Sequence, residues 1–195
     1  MQCLILAGGL ATRMRPVTES IPKSLIPVLG RPFIDLQLEW LKQNGVNSVV
    51  LSIGYKGEQI RSHVGDGSAW GIKVIYVDES NNLRGTGGAL RLAFDNGALE
   101  ERFFVVYGDS YLPLELPPVW QAFLASGKAA LMTVFRNAGA WEKSNVIFEN
   151  DVLKLYDKAA TQDDPRFQYV DYGLSLFSSD TISRYIPPNV VMDLA

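Results

Sequence analysis

Residues Leu4–Pro32, LILAGGLATRMRPVTESIPKSLIPVLGRP, decide how the rest of the chain is read. The apolar run from Cys3 to Leu6 fits a strand buried on both faces. Ala7, Gly8 and Gly9 follow, then a Thr12-Arg13 pair, then a loop punctuated by Pro16, Pro22 and Pro27 that carries Lys23. Paired glycines after a buried strand let backbone N–H groups approach a ligand closely. Arg13, Arg15 and Lys23 add positive charge beside them. A polyphosphate is the simplest ligand for such a loop; the alternative is a tight strand-to-loop turn with solvated basic residues. The P-loop pattern G-x-x-x-x-G-K-[ST] is absent, and the dinucleotide fingerprint fails because Leu10 stands where it needs glycine.

Working outward, helix and strand patterns alternate. Phe33–Asn44 carries Ile34, Leu38 and Leu41 at helical spacing, with Gly45 at the expected C′ position. Strands are expected over 48–53, 73–77, 103–107 and 129–135, and helices over 57–64, 87–96 and 118–126. Continuous apolar strands in that rhythm predict a parallel, doubly wound α/β sheet. After Asn137 the pattern changes to a hairpin, 144–148 and 152–157 about Glu149-Asn150-Asp151, and one more strand over 169–177. The prediction is therefore a mixed, mostly parallel sheet flanked by helices on both faces, in a single domain. Residues 1–136 form a nucleotide-binding half and 137–195 a half that shapes an acceptor pocket. Residues 189–195 read as the opening of a helix, so either the chain is truncated or another copy supplies the rest.

Composition narrows the chemistry. The 195 residues hold 18 basic and 21 acidic side chains, a balance without the basic footprint of a nucleic-acid binder. One cysteine and one histidine exclude an intrachain disulfide and a multi-histidine metal site, and point to a reducing cytoplasm. No apolar run reaches membrane-spanning length, and strand-like sequence from Gln2 leaves no room for a signal peptide.

The opening stretch as a whole resembles the signature of the sugar-1-phosphate nucleotidyltransferases (nucleoside-diphosphate-sugar pyrophosphorylases), G-G-x-G-T-R-x-x-P-x-T followed by P-K-x-x-x-P. Here it reads Gly8-Gly9-Leu10-Ala11-Thr12-Arg13-Met14-Arg15-Pro16-Val17-Thr18, then Pro22-Lys23-Ser24-Leu25-Ile26-Pro27. Ala11 replaces the third glycine, and an alanine there is expected to keep an ordinary negative φ. The resemblance implies a GT-A-like, Rossmann-type core that transfers a nucleoside monophosphate from an NTP to a sugar-1-phosphate, with Mg²⁺ as cofactor. It implies nucleotide contacts at Leu6, Ala7, Gly8, Gly9 and Thr12, Arg13 on the departing pyrophosphate, and Lys23 near the α-phosphate.

Asp109 follows the strand 103–107, where ligands of open α/β sheets bind, and a hard carboxylate there suits Mg²⁺. An Asx turn that shapes the loop is the other reading. Leu83-Arg84-Gly85-Thr86-Gly87-Gly88-Ala89-Leu90 leads into a helix whose N–H groups could face the nucleotide. It is similar to the family's G-T-x-G-A-L segment, with Gly85, Thr86 and Gly88 along base and ribose, and Glu79 at the border of the base pocket. Asp157-Lys158 resembles the family's Glu-Lys pair at the sugar phosphate, although Ala159 replaces the usual proline. Asn145, Asp171 and Gly173 lie in segments similar to its further sugar-pocket segments. The family's second acidic metal ligand lies beyond this sequence, leaving Asp171 as an internal substitute. A reading of another class keeps the same fold as a sensor of nucleotides or sugar nucleotides without turnover.

Overall fold

The computed structural model describes residues 1–80, 82–137, 140, 143–157 and 164–194. Its elements in chain order are β1 (Gln2–Leu6), a short hairpin of β2 (Pro27–Val28) and β3 (Arg31–Pro32), α1 (Phe33–Gln43), β4 (Ser48–Ile53), α2 (Gly57–Val64), β5 (Lys73–Asp78) and α3 (Gly85–Asp95). They continue as β6 (Arg102–Tyr107), α4 (Leu116–Ser126), β7 (Ala130–Arg136), β8 (Val146–Glu149), β9 (Val152–Tyr156), β10 (Tyr169–Ser178) and α5 (Ser179–Tyr185).

One mixed sheet runs in the order β5-β4-β1-β6-β10-β8-β9, with β7 paired to β10. The β5-β4-β1-β6 half is parallel throughout. Its strands carry apolar runs through their middles, with polar residues such as Gln2, Ser48, Lys73 and Arg102 at their starts, because helices cover both faces. Alternation along each strand divides the core. Cys3, Ile5, Val49, Leu51, Phe104 and Val106 pack with α1, α2 and α4, whereas Leu4, Val50, Phe103 and Val105 pack with α3 and α5. Burying each such side chain contributes about 1.5–3 kcal/mol. The α1 helix ends as its sequence indicates: Gly45 takes φ +81, and its N–H donates to Lys42 O.

Three sequence expectations are corrected. β7 does not extend the parallel half; it pairs antiparallel with β10, which lies between it and β6. β10 pairs with β6, β7 and β8 along its length, and its register against β7 shifts between Asp171 and Ser175. There Gly173 takes φ +88 and donates its N–H to Asp171 Oδ1 at 2.9 Å. Ala11 does not keep a negative φ: it sits at φ 48, ψ 44, in the left-handed region. Its carbonyl accepts the Met14 N–H and the Thr18 hydroxyl, and these bonds hold it there. Finally, residues 189–194 do not open a helix. They run irregularly along the start of α3, which itself begins at Gly85 rather than Gly87. The hairpin is as expected, with Asn150 and Asp151 both at positive φ in the manner of a type I′ turn.

Candidate active site

The carboxyl ends of β1, β5 and β6 open onto a cavity of about 360 Å³. Its floor is the end of β1. Beyond Leu6 the bonding continues through Ala7 N–H to Ser52 O at 2.8 Å and Tyr55 N–H to Gly8 O at 3.1 Å as the chain turns through Gly8 and Gly9. The two glycines have different reasons. A Cβ on Gly8 would stand 2.7 Å from Glu79 Oε1, whereas a Cβ on Gly9 would meet nothing within 4 Å. Gly8 is therefore demanded by the protein's own packing, while the place of a Gly9 Cβ is open space and Gly9 itself lines the cavity.

Glu79 is buried, accepting the Ser52 hydroxyl at 3.0 Å on one oxygen and the Arg84 N–H at 2.9 Å on the other. It borders the cavity as a brace under Gly8. Across from it, Gly108 holds β6 tight against β1, since a Cβ there would lie 2.8 Å from Leu6 O. The next residue, Asp109, is presented by a turn that α1 supports. Gln37, fully buried, donates through Nε2 to Tyr107 O at 2.9 Å and Ser110 O at 2.7 Å.

The proline-stiffened loop brings Lys23 onto the same wall, where its ammonium donates to Asp109 Oδ2. Arg13 also lines the cavity and carries no ion pair among the described residues. Ser24, beside Lys23 on the wall, is 2% exposed and its hydroxyl has no hydrogen-bond partner among the described residues. An orphaned buried hydroxyl next to an ammonium and a carboxylate fits a ligand rich in oxygen.

The structure thus brings together Leu6, Ala7, Gly8, Gly9, Arg13, Lys23, Glu79, Gly85, Thr86 and Asp109 around one cavity. Thr12 and Gly88 do not line it. Thr12 is exposed in a short 3₁₀ turn. The expected role of the α3 N–H groups is also corrected: Gly87 and Gly88 donate to Met192 O, and Thr86 donates to Asp193 Oδ1. Asp193 itself lines the cavity, and no local sequence signal marked it.

The residues expected on the acceptor side gather separately, around β10. Asn145 Oδ1 accepts the Asp171 N–H at 3.1 Å, and Asp171 Oδ2 accepts the Tyr156 hydroxyl at 3.1 Å. Asp157 N–H donates to Asn145 O, and Gly173 lies against Ser110. Asp171 is thereby engaged through both oxygens in shaping the β10 bulge, which argues against its use as a metal ligand. Lys158 lies outside the described residues. Tyr107 joins the two groups: it lines the cavity, and burial pushes its phenol up, with Asp171, Asp193 and Asp109 adding to the shift. Burial and then Asp171 push Tyr156 up as well, so both phenols remain donors at neutral pH.

The donor set also bears on a metal. Among the described residues no cluster of three or more His, Cys, Asp or Glu side chains could cage an ion. Of the three carboxylates on the cavity, Glu79 is held by Ser52 and Arg84 and Asp193 by Thr86, so Asp109 is the one suited to a hard divalent ion that leans on one carboxylate and brings phosphate and water oxygens with it. Among the described residues no helix is long and apolar enough to cross a membrane.

With this geometry in view, comparison with known proteins is specific. Residues 2–184 match the family model described as nucleotidyl transferase, and the chain belongs to that family. It is 28% identical over 209 residues to a UTP–glucose-1-phosphate uridylyltransferase of Synechocystis, an alignment spanning 100% of this chain and 53% of the relative. It is 32% identical over 151 residues to the D-glycero-α-D-manno-heptose 1-phosphate guanylyltransferase of Aneurinibacillus thermoaerophilus, covering 77% of this chain and 64% of that one. The chain therefore spans less than two thirds of either relative. Among solved structures, HddC from Yersinia pseudotuberculosis complexed with GMP-PN superposes with a TM-score of 0.76 at 25% identity, covering 95% of this chain and 80% of that one.

Proposed function

We propose that this chain transfers a nucleoside monophosphate from an NTP to a sugar-1-phosphate, releasing pyrophosphate. The observation that carries the reading is the convergence of Arg13, Lys23 and Asp109 on the wall of the cavity floored by Gly8 and Gly9. In such a transfer a phosphate oxygen of the sugar-1-phosphate attacks the α-phosphorus, and the bond to the β-phosphate oxygen breaks with its electron pair leaving on pyrophosphate. Both reactants are anions, so the protein's task is to offset repulsion and align them. Gly9 leaves the triphosphate room to lie close to the backbone. Arg13 holds the phosphates that depart, and Lys23 stabilises charge at the α-phosphate. Asp109 would hold Mg²⁺, which would neutralise phosphate charge when bound. The acceptor lies toward Asn145, Asp157, Lys158, Asp171 and Gly173, with Tyr107 between the two substrates. The protein acts in the cytoplasm, where these substrates occur, and needs neither nucleic acid nor membrane.

The test is pyrophosphate release across the four ribonucleoside triphosphates and dTTP against a panel of sugar-1-phosphates. The heptose guanylyltransferases among the relatives make GTP with D-glycero-α-D-manno-heptose 1-phosphate the first pair. Release that depends on both substrates supports the transfer. Thermal stabilisation by ligands with no pyrophosphate from any pair would return the protein to the sensing class.

A further inference from the structure

The segment Val190–Leu194 has no role in the reading above, yet it occupies one wall of the cavity. The first N–H groups of a helix have no partners inside it, and the α3 cap residue Arg84 supplies no side-chain bond. The missing partners come from 190–194. Thr86 N–H donates to Asp193 Oδ1 at 3.0 Å, and Gly87 and Gly88 N–H donate to Met192 O at 2.9 and 3.2 Å. The contact is reciprocal: Met192 N–H donates to Arg84 O at 2.9 Å, Leu194 N–H to Thr86 Oγ1 at 2.8 Å, and the Thr86 hydroxyl reaches Asp193 Oδ1 at 3.3 Å.

The glycines fit this segment closely. A Cβ on Gly85 would stand 2.5 Å from Met192 O, and one on Gly88 would stand 2.5 Å from Val190 O. Val190 and Leu194 anchor the segment by packing on the α3–α5 core. Gly85, Thr86 and Asp193 all line the cavity, so the contact that satisfies the helix also sets the wall's position. A carboxylate at the helix start offsets its positive end, so the Gly85–Gly88 turn offers shape rather than charge to a ligand.

We infer that Asp193 is a positioning residue for nucleotide binding: through Thr86 it buckles 190–194 onto the start of α3 and fixes the Gly85–Thr86 wall. The inference rests on reading the cavity as a nucleotide site. It is tested on the full chain by calorimetric binding of ATP, GTP, CTP, UTP and dTTP, by steady-state kinetics, and by hydrogen exchange at residues 86–88.

Asp193→Ala should weaken the best-bound triphosphate about tenfold, the size of a lost helix cap. Its KM should rise while kcat stays within about threefold, and the amides of Thr86, Gly87 and Gly88 should exchange faster. Asp193→Asn keeps an oxygen for the Thr86 N–H and should recover most of the affinity. Met192→Pro removes the Met192 N–H without altering a cavity-lining side chain, and should reproduce the loss even where Asp193→Ala folds poorly. The double variant should lose little more than either alone, because both undock one element. Binding within twofold of wild type in both single variants overturns the inference and leaves the nucleotide site intact. A wild type that binds none of the triphosphates overturns the site reading itself.

Discussion

Replacing Lys23 with methionine separates two roles the ammonium could have. Methionine keeps most of the apolar stem, so packing changes little. The pair with Asp109 is open to solvent, at 32% and 44% side-chain exposure, which places its worth to folding at no more than about 1 kcal/mol. A cation matched to charge developing at the α-phosphate is worth about 2.7 kcal/mol or more, or roughly a hundredfold in kcat. The variant should therefore melt nearly as the wild type does and turn over on the order of a hundredfold more slowly.

The same pair makes a second, opposite prediction. In the free protein Lys23 competes with any cation for Asp109. Removing it should tighten Mn²⁺ binding in the absence of nucleotide, by no more than about fivefold given the same exposure. Urea unfolding, pyrophosphate release at saturating substrates and Mn²⁺ calorimetry read the three quantities independently. Turnover within about threefold of wild type, or a loss of turnover that merely follows a loss of folded protein, would refute the assignment of Lys23.

Four further outcomes follow from the geometry. Gly9→Ala adds a Cβ into open space and should leave the unfolding midpoint unchanged while weakening triphosphate binding at least about tenfold; equal binding by calorimetry would show that no ligand occupies that room. Ala11→Gly relieves the left-handed backbone at φ 48 and should stabilise the chain by up to about 1 kcal/mol in urea unfolding, a gain that a negative φ in solution would abolish. Asp109→Asn should lose Mn²⁺ binding by calorimetry with little change in melting temperature, and an unaltered isotherm would remove Asp109 from the metal site.

The fourth concerns pH. The buried Cys3 thiol is pushed up by burial, as are the phenols of Tyr107 and Tyr156, so the unfolded chain releases these protons first. Their stabilising contribution is whole below the ordinary thiol and phenol ranges and begins to be lost as pH rises above about 8.5 for the thiol and about 10 for the phenols, falling further toward the raised folded values. A urea midpoint that stays flat over that interval would contradict it.

What the sequence disclosed, and what it withheld, follows the range of the interactions involved. The strands β1, β4 and β6 and the helix α2 were readable because their apolar pattern reports burial residue by residue. Leu6 to Gly9, Arg13 and Lys23 were readable because one contiguous stretch carries them. The start of α3 was not, because its caps come from residues 107 positions away. The place of β7 was not, because its partner β10 comes far later in the chain and pairs with it antiparallel on both sides of the register shift. Gln37 did leave a trace: a polar residue on the buried face of α1, between Ile34 and Leu38, calls for a polar partner, and it finds the turn that presents Asp109.

The glycines carry the most instructive difference. Glycine in a sequence marks a place where something comes too close for a side chain, without saying what. At Gly8 the neighbour is the protein's own Glu79, at Gly108 it is β1, and at Gly85 and Gly88 it is the segment 190–194. At Gly9 a Cβ would meet nothing within 4 Å among the described residues. A glycine hemmed in by its own protein explains itself by packing, whereas a non-helical cavity glycine with negative φ and open space has its reason outside the chain. On the proposed reading the ligand would cross Gly9, and the α3 glycines would shape its far wall indirectly, by letting Asp193 reach Thr86.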